Sequence, residues 1–244
     1  MLNKKLQQIN KKINPQNSIY MKTFNDFDIQ FERLKSKLGD TLSRNLRLFN
    51  IRFRLAHDIL IDFKGEISMT KTLDVRNTYK IIIKLMETWN SYEALYHYVK
   101  ELGKYCNPKE NITKKYSQSF LDKIGSLSLL KTKLDIIKGL YESDSNFKDD
   151  FSQLIERFIK DDRISPKLKE SCKNVLDYFE NKKTISGIEI IALIYAERNM
   201  YYHNGETAKM GMRYLNRQNL INIYQDCLEK HILILATHII QNEI

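Results

Sequence analysis

The chain has 244 residues, of which 42% are hydrophobic and 29% charged, with only 8 glycines and 3 prolines and a formal net charge of +10. So few turn residues argue against a sandwich, a barrel or a doubly wound sheet and favour long helices joined by few loops, while the hydrophobic content excludes a wholly disordered chain. The length suits one sizeable domain with a real core.

Residues Met1–Thr23 read as a basic tail, with five lysines, no acid and Pro15 interrupting. No apolar run follows the lysines, so a secretory leader is not expected. Helices are then predicted at about Asn25–Leu38, ended by Gly39, at Asp40–Phe63, ended by Gly65, and at Leu73–Leu102, ended by Gly103. Asn107–Gln118 reads as a loop around Pro108. Further helices follow at Ser119–Leu140, Asn146–Lys160 and Pro166–Phe179, the last with Pro in its first turn. The next, Gly187–His203, opens on a capping box of Ser186 and Glu189, and Gly205 stands where a left-handed C-terminal cap would fall. The last helix covers Leu215–Gln241. No internal repeat and no strand-period segment is present. The expectation is a single all-α domain over residues 24–244, with room for a helical insertion at 119–179 and the basic tail in front.

The longest apolar run, His231–Ile240, is too short to span a bilayer, so no membrane is expected. Cys106, Cys172 and Cys227 are far apart and form no CxxC pair, which indicates neither a disulfide framework nor a thiolate metal site and fits a reduced, cytoplasmic setting. Neither a metal nor another cofactor is expected. The basic excess lies in the tail, in Thr41–Lys64 and in Tyr105–Leu140, whereas Thr184–Ile244 is slightly acidic. Such stretches suit a polyanion, RNA being the common one, and equally suit a lysine-rich solvated surface.

Two helices carry polar interruptions on apolar stripes. Val75, Tyr79, Ile82, Met86, Trp89, Glu93 and Tyr96 follow the spacing of a bundle seam, which puts the Glu93 carboxylate where it is costly unless paired. Ile188, Ala192, Tyr195, Asn199 and Tyr202 form a second stripe, and His203 shares the face of Asn199 one turn on, with Arg198 adjacent. An Arg, an Asn and a His thus converge at the end of an apolar helix. His231 and His238, seven apart on the apolar last helix, read as packed core residues, and His97 has no evident partner.

The run Arg198-Asn199-Met200-Tyr201-Tyr202-His203-Asn204-Gly205 resembles the motif of the HEPN family, an Arg and a His four to six residues apart, in the form with Asn directly after Arg. Trp89-Asn90-Ser91-Tyr92-Glu93 resembles the segment of an earlier bundle helix that often carries an acid in such proteins. A second Arg-x4-His match, Arg52 to His57, lacks the Asn and a helix stop behind it, and reads as a basic helix face rather than a second site. The resemblance implies a four- or five-helix up-and-down bundle and a metal-independent endoribonuclease acting on single-stranded RNA as a toxin or antiphage effector. It also implies a homodimer with a composite site, and leaves room for an antitoxin or regulatory partner. Some members carry a nucleotidylated Tyr two residues past the His; here that position is Gly205, and the resemblance stops short of that regulation.

In this reading His203 is the general base or acid, suited to proton transfer near neutral pH. Its place near a helix C-terminus favours the protonated form. Arg198 clamps phosphate with its planar fork, Asn199 positions one of them or the scissile phosphate, and Glu93 holds Arg198 through a buried pair. Lys209, Arg213 and Arg217, beyond the motif, either touch RNA phosphates or form an ordinary solvated loop. Two other classes remain open: a HEPN-like module that binds RNA or nucleotide without cutting it, and a helical scaffold or oligomerisation protein.

Overall fold

The computed structural model describes residues 23–103, 116, 118–204 and 209–243, so the basic tail up to residue 22, the expected loop around Pro108, Cys106 and Gly205 lie outside the described residues. These residues form an all-α helical bundle with no strand among them. α1 (Phe24–Leu38) opens on a capping box in which Thr23 and Asp26 each accept from the other's backbone N–H. α2 (Arg44–Asp58) starts from Ser43, whose hydroxyl accepts from the Asn45 N–H.

α2 is shorter than the pattern predicts. Residues 59–64 run without helix, and Gly65 begins a short helix, α3 (Gly65–Thr70), instead of ending a long one. The reason is a period-two stretch: Ile59, Ile61 and Phe63 are half-buried while Leu60, Asp62 and Lys64 are exposed, as side chains alternate on an extended chain. Phe63 meets Tyr79 edge-on at 6.4 Å.

α4 (Leu73–Glu101) is the axis of the N-terminal half. It buries residues all round its middle, among them Ile82, Leu85, Trp89, Tyr92, Leu95 and Val99, because two helices clasp it. α2 packs along one side, and α10 (Tyr214–Glu243) along another. Ser43 Oγ donates to Glu101 at 2.9 Å and Lys84 to the His57 carbonyl at 3.5 Å, so α2 runs antiparallel to α4. Gln218 donates to Thr78 Oγ1 at 3.0 Å and Gln225 to Thr88 Oγ1 at 2.9 Å, so α10 runs parallel to it.

The stretch expected as one helix from Ser119 is two, α5 (Gln118–Lys123) and α6 (Ser126–Ser143). Gly125 between them is left-handed at φ 74, which breaks the helix. α7 (Ser145–Lys160) starts on Asp144, which accepts from the N–H groups of Asn146 and Phe147. α8 (Pro166–Phe179) has the expected proline in its first turn. α9 (Glu189–Asn204) follows. Ser186 and Glu189 meet at its start, but not as the expected reciprocal box: the Glu189 carboxylate accepts from the Gly187 N–H at 3.0 Å and from the Ser186 hydroxyl at 3.3 Å, and Ser186 Oγ accepts from the Ile188 N–H at 3.4 Å.

α6 packs on α10, α7 on α6, α8 on α7 and α9 on α8. Leu130, Leu134, Phe151 and Val175 of this stretch join one apolar cluster that reaches from Phe27 to Ile240. Residues 119–179 are therefore woven into the common core. No helix of the described residues is long and apolar enough to cross a membrane.

Gly187 sits at φ 99, and a Cβ there would lie 2.6 Å from the Lys131 backbone of α6. Gly139, inside α6, has nothing within 4 Å. Gly187→Ala is therefore expected to lower unfolding free energy by about 2–3 kcal/mol, from overpacking and strain, and Gly139→Ala to raise it by roughly 0.5–1 kcal/mol. Urea titrations of the two variants check this; equal effects would contradict the close approach.

Candidate functional site

α9 is buried through its middle, at Ile190, Ile191, Ala192, Leu193, Ile194 and Ala196. Its second stripe climbs out of the core: Ile188 and Ala192 are buried, Tyr195 and Asn199 half-buried, and Tyr202 is 46% exposed. The stripe faces α4, with Tyr195 5.3 Å from Trp89 and the Asn90 amide donating to Tyr202 Oη at 3.4 Å. The structure thus brings the Trp89–Glu93 segment to the same end of the bundle as Arg198 and Asn199.

Arg198 is held by its own helix. Its Nη1 donates to Asn199 Oδ1 at 3.2 Å, and its guanidinium carbon lies 4.9 Å over the Tyr202 ring. Its Nε is buried and has no hydrogen-bond acceptor among the described residues. The expected buried pair with Glu93 is not formed: Arg198 turns along α9 toward Asn199 and Tyr202, and Glu93 is half-buried on α4. The backbone of His203 belongs to the last turn of α9, but its side chain lies outside the described residues.

The buried ion pair of this region lies one residue away. Arg217 of α10 and Glu197 of α9 are almost wholly excluded from solvent. Arg217 Nη1 donates to Glu197 Oε2 at 2.8 Å, and Nη2 donates to Oε1, a two-pronged contact matching the guanidinium fork to the carboxylate. Nη2 also touches Met210 Sδ at 3.0 Å. Tyr224 packs into the same interior; burial, with the Glu197 carboxylate adding to it, pushes its phenol well above the ordinary value.

Arg217 is therefore not an RNA contact: it faces inward and has no surface to offer a phosphate. The sequence carried a signal for this. Arg217 continues the stripe Leu220, Ile221, Tyr224 and Leu228, and Glu197 continues Ile190, Leu193 and Ile194, so each charge stands on a core face.

The segment after α9 is pinned from both sides. Arg213 donates from its backbone N–H to Asp150 Oδ2 at 3.0 Å and from Nη1 to Asp150 Oδ1 at 2.9 Å, and Asn216 donates to the same carboxylate at 2.7 Å. The Arg213 fork is thus committed to α7. Met210 is left-handed at φ 43 and buried, and Gly211, at φ 83, lies against the Arg157 guanidinium, where a Cβ would come within 3.2 Å. Lys209 is exposed, its Nζ 5.9 Å from the Tyr214 ring, and Arg213 keeps about half of its side chain open to solvent (53%), so of the three cations expected beyond the motif only Arg217 is closed to a phosphate.

Among the described residues, several cations of the basic stretches are engaged within the fold. Lys131 pairs with Asp135 at 2.6 Å, Lys133 with Asp226 at 2.5 Å and Lys138 with Glu142 at 3.6 Å. Lys131 and Lys138 also flank the Tyr178 ring at 4.1 and 4.3 Å. On α2, Arg54 pairs with Asp28 and Glu32, and Arg47 donates to the carbonyls of Gly39 and Asp40. A count of charge by segment therefore overstates what an RNA would meet.

Of the other histidines, His231 is fully buried, with Nδ1 hydrogen-bonded to Ser126 Oγ, and burial pulls its pKa down to about 3. His238 packs 5.3 Å from Phe120, and burial, with Lys123 adding, lowers its pKa. His57 stacks on Phe24 at 3.9 Å and contacts Asp58 at 2.8 Å, so the second Arg-x4-His match holds no isolated histidine. Among the described residues no group of three or more His, Cys, Asp or Glu gathers where one metal ion could be held. Two open clefts, of about 730 and 640 Å³, lie along α1 and between α1 and α2, and neither is lined by α9. Searches against family models, curated proteins and solved structures find no match to this chain.

Two outcomes follow from the buried groups. Arg217→Met leaves Glu197 buried and unpaired and is expected to cost about 3–5 kcal/mol of stability. The double variant Glu197→Leu/Arg217→Met should lose less than Arg217→Met alone, and additive losses in a double-mutant cycle would contradict the pairing. His231 is neutral when folded, with its pKa depressed below the unfolded value, so its contribution is complete above about pH 6.5 and is lost as the pH falls toward 3. His231→Gln should flatten the stability-versus-pH curve between pH 6 and 4 by about 1.4 kcal/mol per pH unit; an unchanged slope would contradict it.

Proposed function

We propose that the chain is a metal-independent endoribonuclease of HEPN type, cleaving single-stranded RNA as a toxin or antiphage effector, with a composite site built by two copies of the chain. The observation that carries this reading is the end of α9. There Arg198 is half-buried and fixed by Asn199 and the Tyr202 ring, about a turn and a half before His203 on a helix otherwise sunk in the core. A partly desolvated guanidinium attracts a phosphate oxygen more strongly than a fully solvated one.

In the proposed reaction one His203 takes the proton of a ribose 2′-hydroxyl, whose oxygen attacks the adjacent phosphorus. The bond to the 5′-oxygen breaks, and that oxygen takes a proton from the His203 of the second copy. Arg198 stabilises the charge that accumulates on the phosphoryl oxygens. Asn199 orients Arg198 through its Oδ1. Glu93 has no part in holding Arg198 in this scheme; its place on the facing helix beside Asn90 keeps it near the site.

One observation favours a second reading, a helical oligomerisation protein. Arg213, Arg217, Lys131, Lys133 and Lys138 are all engaged within the chain, so these cations serve the packing of the fold.

Incubating the purified chain with single-stranded RNA in EDTA separates the two. Cleavage that falls at least 100-fold in both His203→Ala and Arg198→Ala, with unchanged far-ultraviolet circular dichroism, is the expected result. Equal cleavage by all three proteins would remove the site assignment, and no cleavage by the parent chain would favour the second reading. Growth arrest on expression that vanishes in His203→Ala would support the toxin role.

A further inference from the structure

α2 has two apolar faces, and the fold uses one. Leu46, Phe49, Phe53 and Ala56 are buried against the bundle. On the opposite side, Arg44, Leu48, Ile51, Leu55 and Asp58 follow one another at spacings of four and three, within about 80° of arc at 3.6 residues per turn. All five are exposed, Leu48 at 39%, Ile51 at 62% and Leu55 at 48%. The arginines on one border are drawn back onto their own chain, Arg47 to the carbonyls of Gly39 and Asp40 and Arg54 to Asp28 and Glu32, so the aliphatic strip stands clear.

The charges at its ends are misplaced for an isolated helix. Arg44 is the first residue of α2, at the positive end of the helix dipole, and Asp58 is the last, at the negative end. Both become favourable against a second α2 laid antiparallel. Rotation by 180° about an axis through Ile51 brings each Arg44 opposite the Asp58 of the other copy, because both lie seven residues from that axis. It sets Leu48 against the other Leu55 and Ile51 against itself. The strip is thus its own complement in charge and in apolar pattern.

We infer that α2 pairs antiparallel with α2 of a second copy, centred on Ile51. This contact is independent of the RNA-cleavage reading, because α2 carries none of Arg198, Asn199 or Tyr202. A strip of about four turns and 22 Å buries less than the roughly 800 Å² per partner of a standard interface, so dissociation in the micromolar range is expected.

Sedimentation velocity of the full chain from about 1 to 100 µM, in low salt, tests it. The expected result is a concentration-dependent dimer whose dissociation constant rises at least ~30-fold in Ile51→Asp, which sets two carboxylates against each other at the axis. Arg44→Glu and Asp58→Arg should each weaken pairing about tenfold, and the double exchange Arg44→Glu/Asp58→Arg should restore it to within about threefold. All these positions are exposed, and circular dichroism confirms the fold of each variant. A monomer at 100 µM, a dimer indifferent to Ile51→Asp, or an exchange that fails to restore pairing would each overturn the proposal.

Discussion

The Glu197–Arg217 pair is the constraint on which the C-terminal half rests. Two opposite charges out of water are tolerable only when matched closely, and the fork of Arg217 does this across the junction of α9 and α10. Its consequence is geometric. With Glu197 facing inward, the next residue, Arg198, is turned about 100° round the helix toward the α4 side, where Tyr202 and Asn199 receive it. The same Arg217 touches Met210, so the turn before α10 is tied to the buried pair. Asp150 adds a second anchor through Arg213 and Asn216. The exposed end of α9 is thus set by contacts in the interior.

This arrangement also changes what the charge of the chain means. Cations that look available along the sequence prove to be structural: Arg217 within the core, Arg213 on α7, Lys133 on Asp226 of α10. Among the described residues, the α9 end presents the half-buried Arg198 guanidinium, with Lys209 and Arg213 exposed beyond it. Such a site suits chemistry at one phosphate better than extended electrostatic tracking of a strand, for which a run of free cations is needed.

Much of the fold was legible in the sequence because helix periodicity and end signals are local. Pro166, Ser165 and the Ser186–Glu189 cap lie where the pattern places them. The misses are places where local and global preferences part. Ile59, Ile61 and Phe63 suit a helix by composition, but their alternation fits an extended strap beside Tyr79. Gly125 breaks a helix that its flanks would continue. The site was legible in part: Arg198, Asn199 and the Trp89–Glu93 segment do meet at one end of the bundle. Pairing was not, since Glu93 on its stripe looked like the natural partner of Arg198. Choosing between Glu93 and Glu197, or between Arg198 and Arg217, depends on helix rotations that only the packing of α9 on α8 and α10 fixes.

The account turns on proton transfer by His203 with charge stabilisation by Arg198, and the ends of the RNA products report that chemistry directly. Mass spectrometry of fragments released by the full chain in EDTA should show a 2′,3′-cyclic phosphate on one side of each cut and a 5′-hydroxyl on the other. Fragments bearing 5′-phosphate and 3′-hydroxyl ends, or RNA left intact by a folded chain, would contradict it.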